Sequence, residues 1–419
     1  MKRSLVLTVA LLMFATAAVA CGADSESGKV IRVPTDAPTI NEAVDDAQPG
    51  DVVLIEAGTY RESVKVDVDG ISIRGVDRNT VVLDGGHELP NGVVVTADDV
   101  AVENLTVHSF TQNGVLFNGI DAATGGAALD PTVVYGAGDA VLRGYRVSYV
   151  TAYNNGLYGI YAFASRGGVI EHSYVSGHPD SGIYVGQCKP CDVVIRDVVA
   201  ERNAIGYYGT NASGGVYVVE SVFRSNRLGV APNSQRAEQL APQEGTVVAG
   251  NLVMSNNDTG APEVPDGIIG VGIAVGGGTK NVVVRNRVED NEFAGIALLA
   301  LNEFLPLDNE VSENVVTGNG IDLMFAPEGG STDDGNCFAS NTFEVSLPAD
   351  IESVMPCGAP AQRVATPALT NERGPKGPDY RTIAPPPPQP TMPDSWFDRV
   401  PGAGAVPMID LAAIVVPVE

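Results

Sequence analysis

The sequence predicts an all-β solenoid of parallel strands, about ten coils stacked end to end. Three observations predict it: a ladder of glycines at a regular interval, short Val/Ile-rich runs of alternating polarity between them, and no helical periodicity across the repeating region. Gly92, Gly114, Gly159, Gly182, Gly206, Gly229, Gly272, Gly295 and Gly320 open successive apolar strands at gaps of 22, 45, 23, 24, 23, 43, 23 and 25 residues. The unit is therefore about 23 residues, and the two long gaps are near double. Within one unit the order is strand, turn, strand, turn: Gly182-Ile-Tyr-Val, then Asp192-Val-Val-Ile-Arg-Asp-Val-Val, then Arg202-Asn203-Ala-Ile before Gly206. Alternation in such runs marks strands with one buried face. Repeats of this length without helix leave leucine-rich repeats and parallel β-solenoids. The leucine-rich frame is absent, and Val exceeds Leu inside the coils.

The chain begins with a basic, then apolar, then small-residue segment, MKRSLVLTVALLMFATAAVAC, that reads as a signal peptide over residues 1–20. Ala18-Val19-Ala20-Cys21 resembles a bacterial lipobox, in which Cys21 is lipidated, and also suits an ordinary signal peptidase cutting at the same bond. With Cys21 lipidated, four cysteines remain, an even number suited to an oxidising exterior. Residues 21–29 then form a tether, 30–359 the solenoid with insertions at about 120–139 and 236–266, and 360–419 a Pro-rich extended tail. The tail contains four consecutive prolines at Pro385–Pro388. Its apolar end, from Met408, is expected to pack on the solenoid.

Thr39-Ile40-Asn41-Glu42-Ala43-Val44, Gly50-Asp51 through Gly58-Thr59-Tyr60-Arg61-Glu62, and Ile71-Ser-Ile-Arg-Gly75 resemble the N-terminal signature of the right-handed parallel β-helix, or pectin-lyase-like, superfamily. The resemblance spans about residues 30–345. It implies a short capping helix, here roughly Thr39 to Ala47, over the open end of the first coil, where apolar core and strand edges need cover. The motif sets of polygalacturonases, pectin methylesterases, pectate lyases and alginate epimerases are absent. His178-Pro179-Asp180 only echoes the last with its order rearranged. The copper-site maturation protein of nitrous oxide reductase shares the coil pattern, but no His/Met/Cys cluster offers a copper site.

A second ladder is expected where Asn104, Gly144, His172, Asp197, Ser221, Asn251, Asn286 and Asn314 end successive strands, stacking side-chain amides from coil to coil. Just before them stand Glu103, Arg143, Glu171, Arg196, Glu220, Gly250, Arg285 and Glu313, which apart from Gly250 alternate in sign and are expected outside the core.

The formal net charge of −26 excludes nucleic acid as a partner, and loss of Lys2 and Arg3 with the signal would leave −28. An anionic glycan is disfavoured without a bridging cation, so a neutral polysaccharide or surface glycan is the first expectation. Both insertions leave the solenoid at the same turn and can wall a binding face between them. Its floor carries Tyr161, Tyr184 and Tyr208, two residues past their glycines, where Leu116, Ala231, Ala274, Ala297 and Asp322 stand in other coils. Exposed tyrosines can stack on sugar rings; covered by the loops, they form a secondary core. Gln187 and Asn211 are expected to join them in binding substrate.

His172, or His178 with Asp180 and Arg166 or Lys189, can supply acid–base chemistry for a polysaccharide lyase or epimerase; a hydrogen-bonded turn histidine is the plainer reading. Cys188 and Cys191 are expected to pair locally, as are Cys337 and Cys357. Ca²⁺ is the one cofactor left open, at Ser331-Thr332-Asp333-Asp334-Gly335-Asn336, whose oxygens suit it without a known calcium frame. No resident metal is expected. The reading is a monomeric, exported envelope lipoprotein, touching the membrane only through its anchor, that binds and can process a carbohydrate. A noncatalytic scaffold or protein-interaction module is the competing function.

Overall fold

The computed structural model describes residues 28–120, 132–265, 267–327, 334–362 and 373–418. The strands form three parallel sheets of twelve, eleven and ten strands, and between the first and last coils each strand pairs with the third strand on along the chain. One chain thus winds as a single β-solenoid. Twelve levels stand where the glycines suggested about ten, because coils from Val30–Val33 onward precede the first rung glycine. The short helix Ile40–Asp45 covers the open end, with Ile40, Ala43 and Val44 buried and the Thr39 hydroxyl accepting from the Glu42 amide at 3.2 Å.

Inward positions stack like on like. In the twelve-stranded sheet Ile73, Val102, Val147, Ile170, Ile195, Val218, Val248, Val283, Val311 and Phe338 lie in one column, all buried. Burying each such side chain favours folding by about 1.5–3 kcal/mol before the entropy of ordering the chain is charged against it.

The glycine column has a steric cause. A Cβ on Gly206 would lie 2.5 Å from the carbonyl oxygen of Gly229, and one on Gly229 would lie 2.5 Å from that of Gly272. Gly320 is not in this column: Gly295 faces the Asp322 carbonyl, and Ala297 pairs with Met324. Met324 rather than Asp322 therefore continues the outward tyrosine position.

The amide ladder needs a one-residue correction over its first half. Ser221, Asn251, Asn286, Asn314 and Asn341 do stack, each amide oxygen accepting from the backbone amide of the coil before. Asn104, His172 and Asp197 instead occupy the preceding corner, where the backbone is left-handed (φ 49–56°), and Ser173 is the rung beside His172, accepting from Val150 N. Gly144 sits at another corner, against Asp99. Two further ladders went unseen: Gln243–Asn281–Asn309–Asn336 and Asn203–Asn226–Asn256–Asn291–Asn319.

The charged row is buried rather than outward in its middle. Glu103 pairs with Arg74 at 2.8 Å; Glu171, with no exposed surface, pairs with Arg146 and with Arg196 at 2.7 Å. The tail covers them. Arg227 donates to Pro375 O, Asn154 to Ile383 O and Asn79 to Gln389 O as the chain runs back toward the first coils. It turns where Arg74 donates to Phe397 O and Gly402 N to Ser72 Oγ, then returns to Arg285 and Arg287. Met392, Ala403 and Ile414 of the tail are buried. Disulfides join Cys188 to Cys191 and Cys337 to Cys357.

Gly206→Ala should lower stability by about 1–3 kcal/mol, since the carbonyl it meets belongs to a stacked backbone that cannot yield without moving a coil. An unchanged thermal midpoint would show that the column is not sterically enforced.

Candidate functional site

The outward face of the eleven-stranded sheet builds a cleft from two parallel columns. Tyr161, Tyr184 and Tyr208 are in register, preceded by Leu116 and followed by Ala231. The neighbouring column runs Tyr158, Ser181, Ile205, Leu228 and Val271. Rings interlock along the stripe: Tyr158 lies 4.9 Å from Tyr184 and 4.5 Å from Tyr161, and Tyr184 meets Tyr208 edge-on at 6.0 Å.

The stripe is partly roofed. The second insertion lays residues 235–239 over it, leaving Tyr184 only 3 % exposed. Tyr135, from the described end of the first insertion, donates its amide to Gln239 Oε1 at 3.1 Å. The two insertions therefore meet, rather than standing apart as walls. What stays open is a cleft of about 460 Å³ over Tyr158, Tyr184 and Tyr208 and the coils that follow.

Two carboxyl groups face it. Asp180 Oδ2 accepts from the Tyr158 hydroxyl at 3.3 Å, and Glu238 Oε1 accepts from the Tyr184 hydroxyl. The other oxygen of each, Asp180 Oδ1 and Glu238 Oε2, is buried with no partner of good hydrogen-bond geometry. Burial pushes Asp180 up to about 6 against the opposing pull of its Tyr158 and Ser181 neighbours. Burial likewise pushes Glu238 up to about 7; the Tyr184 hydroxyl works against the rise and the Asp180 charge adds to it. Both carboxyls thus change protonation near neutrality, as acid–base pairs in clefts require.

Of the residues expected to act here, Asp180, Tyr184 and Tyr208 line the cleft. Tyr161 packs beside it against Tyr158, Phe163 and Tyr184. Gln187 and Asn211 are not substrate contacts: both are buried, Gln187 accepting from Gln239 N and Asn211 donating to the Gln235, Glu238 and Gln239 carbonyls. They hold the loop that carries Glu238. Arg166 is engaged by Asp192 at 3.0 Å and Lys189 by Glu244 at 3.2 Å, both away from the cleft lining.

The histidines also lie elsewhere. His178 is fully buried as a rung between Asn155 and Asn203, its Nδ1 2.8 Å from Asn203 Oδ1, and burial lowers it to about 4. His172 stacks on Tyr149 at 4.7 Å and touches Trp396 of the tail; burial lowers it, with Glu171 and Asp197 opposing. Glu238 escaped the sequence reading because its insertion has no repeat register. Glu238's place is set by Gln187 and Asn211, which the sequence offers as substrate contacts.

Cys21, residues 121–131 of the first insertion, Asp266, and Ser331, Thr332 and Asp333 of the calcium candidate lie outside the described residues. Asn336 of that loop is committed to its ladder, its Oδ1 accepting from Asn309 and its Nδ2 donating to Pro306 O.

The family described as periplasmic copper-binding protein (NosD) matches residues 109–353, more than half of the chain. The chain belongs to this family. No curated protein matches the sequence. Solved structures similar in fold include the Dettilon tailspike protein, 12 % identical over 76 % of this chain and 62 % of its own, with a TM-score of 0.50. The A-module of mannuronan C-5 epimerase AlgE6 from Azotobacter vinelandii is 14 % identical over 74 % and 94 % of the two chains, TM-score 0.47. Pectate lyase Pel9A is 12 % identical over 76 % and 78 %, TM-score 0.41. At these identities the likeness is one of fold. The periplasmic description agrees with export, and among the described residues no helix is long and apolar enough to cross a membrane.

The family description names copper, and the donors among the described residues of this NosD-family chain do not fit it. All four histidines and four of the five cysteines are described. The four described cysteines are paired, His172 and His178 are engaged as above, His108 stacks on Tyr153 with Asp84 3.7 Å away and His87 meets Tyr380 edge-on, and no group of three His, Cys, Asp or Glu among the described residues is placed to hold a metal ion. Met324, Met355 and Met392 are buried singly.

Stability should report these shifts with opposite signs. Asp180 and Glu238, raised above their unfolded values near 4, should add stability as pH falls from 8 through 7 and 6, and Asp180→Asn with Glu238→Gln should flatten that rise. His178 is depressed, so acidification from 6.5 to 4 should cost on the order of 3 kcal/mol as the unfolded imidazole takes up the proton. His178→Asn, restoring the amide of its neighbouring rungs, should remove that acid loss. Melting curves against pH check both, and an unaltered acid limb in His178→Asn would contradict the assignment.

Proposed function

We propose that this exported protein, held at the envelope by lipid on Cys21 and working as a monomer, binds a neutral polysaccharide or surface glycan in the cleft and cleaves it hydrolytically. One observation carries the reading: two half-buried carboxyls whose proton affinities are raised line the same aromatic cleft, each with one buried oxygen that lacks a hydrogen-bond partner of good geometry. The half-buried Tyr208 is the stacking surface for a sugar ring.

Glu238, the weaker acid, holds the proton at neutral pH and gives it to the glycosidic oxygen as the C–O bond breaks. Asp180, the stronger acid, is ionised; it takes a proton from the water whose oxygen bonds to the anomeric carbon. The Tyr158 and Tyr184 hydroxyls orient the two carboxyls, and Gln187 and Asn211 fix the loop behind Glu238. A lyase or epimerase acting on uronates would need cationic groups against the substrate carboxylate. The cleft instead offers two acids, with Arg373 the one cation among its described lining residues.

The test is release of reducing ends from a panel of neutral polysaccharides by the purified protein. Activity should follow a bell in pH with limbs near 6 and 7. Glu238→Gln and Asp180→Asn should each reduce it by about 10²–10⁴-fold, while His172→Ala leaves it nearly unchanged. Retention of glycan by both carboxyl variants, with no turnover by the wild type, would support a binding module instead. Neither retention nor turnover on any neutral glycan would overturn the carbohydrate reading.

A further inference from the structure

The cleft has two chemically different halves. Around Asp180 and Glu238 it is aromatic and acidic. Beyond Tyr208 the same outward column shrinks from tyrosine to alanine: Ala231 pairs with Tyr208, Ala274 follows in register, and Ala297 pairs with Ala274. This step in side-chain size leaves a trough one coil past the last tyrosine. Ile205 and Leu228 line it from the neighbouring column, Val264 from the second insertion and Ile268 just after it, and Leu299 from a later coil. Their surfaces belong to one apolar cluster separate from the solenoid interior.

Thr210, Asn233 and Gln235, which border the trough, are engaged locally, and Arg373, packed against Gly267, is the one charged group at its edge among the described residues. Thr210 donates to Asn233 Oδ1 at 3.2 Å, Asn233 Nδ2 donates to the Ala231 carbonyl at 3.0 Å, and Gln235 Nε2 donates to the Tyr208 hydroxyl. A second sugar ring pushed into this half would lose water from its hydroxyls with few donors or acceptors to replace it. A hydrocarbon would lose nothing and would gain from leaving water.

We propose that the natural ligand is a neutral glycan bearing a hydrocarbon substituent, an alkyl aglycone or an acyl chain, with the sugar on Tyr208 before the two carboxyls and the hydrocarbon in the Ala231–Ala274 trough. This rests on the glycan reading of the same cleft and specifies its substrate class. The single cleft of about 460 Å³ that spans both halves places the polar and apolar parts of one ligand end to end.

Isothermal titration of the full chain with methyl, hexyl, heptyl and octyl β-D-glucosides below their micelle concentrations tests it. Affinity should rise by about fourfold per added methylene across the alkyl series, with a negative heat-capacity change. Ala274→Leu, and separately Ala231→Met, fill the trough and should weaken octyl glucoside at least tenfold while leaving methyl glucoside unchanged; a melting midpoint near the wild type's verifies that each is folded. Equal binding of methyl and octyl glucosides, or a chain-length dependence that survives both filled variants, would overturn the proposal. So would octanol binding as tightly as octyl glucoside, which would leave no part for the sugar. Failure of the hydrolytic reading looks different: there Glu238→Gln would leave glycan turnover intact while the chain-length dependence persisted. If Glu238→Gln abolished turnover and chain length had no effect, the trough inference alone would fall.

Discussion

The contact on which the structure depends is the close approach of one coil to the next at the glycine column. Each rung glycine from Gly92 to Gly295 sits with the carbonyl oxygen of the following rung 2.5–3.0 Å from where its Cβ would be. No other residue fits there without lifting a coil, so the column fixes the height and the rotation of the turns it spans. Side chains two positions on must then fall into line, and this is how three tyrosines separated by 23 and 24 residues become neighbours on one surface. The buried amide ladders enforce the same register from within, because an asparagine that bonds the coils on either side of it tolerates no slip.

A stack this regular makes smooth faces, and chemistry enters where regularity is broken. The second insertion interrupts the period and returns over the tyrosines, where Gln187 and Asn211 bind its backbone and bring Glu238 against Tyr184. Asp180 belongs to the stack itself, in the turn just before a rung glycine. A loop carboxyl is thus set against a scaffold carboxyl, and the burial that disfavours both charges is what separates their proton affinities from ordinary carboxylates. On another face the tail covers the charged row, so Glu171 and Arg146 pair in a dry environment with Arg399 close by. That arrangement is structural: its charges neutralise one another and leave no group free to act.

The architecture was legible in the sequence because a solenoid repeats its constraints. The glycine interval, the strand alternation, the capping helix and both local disulfides all follow from residues a coil or less apart. Legibility failed where neighbours in space lie outside the repeat. His172 and Asp197 were placed in the asparagine ladder because nothing in the sequence distinguishes a left-handed corner from the rung beside it. His178 reads either as an acid–base group beside a carboxylate or, more plainly, as a hydrogen-bonded turn histidine; it is hydrogen-bonded, replacing asparagine in a ladder whose other members carry no signal in the glycine register. The tyrosine stripe is visible in the sequence and its roofing stands there as one of two readings, since which rings are covered depends on how residues 235–239 fold back. Of the acid pair, Asp180 was legible within the repeat, whereas Glu238 was one acid among many in an insertion without register.

The central claim is that Asp180 and Glu238 exchange protons near neutrality inside one cleft. Difference infrared spectroscopy of the protein between pH 5 and pH 8, with Asp180→Asn and Glu238→Gln used to assign the carboxyl bands, measures this without knowledge of the substrate. The expected result is two protonated carboxyl signals that disappear between about pH 6 and pH 7, one lost in each variant. Ionisation of both groups below pH 5 would contradict the claim, since neither could then hold a proton to give at neutral pH.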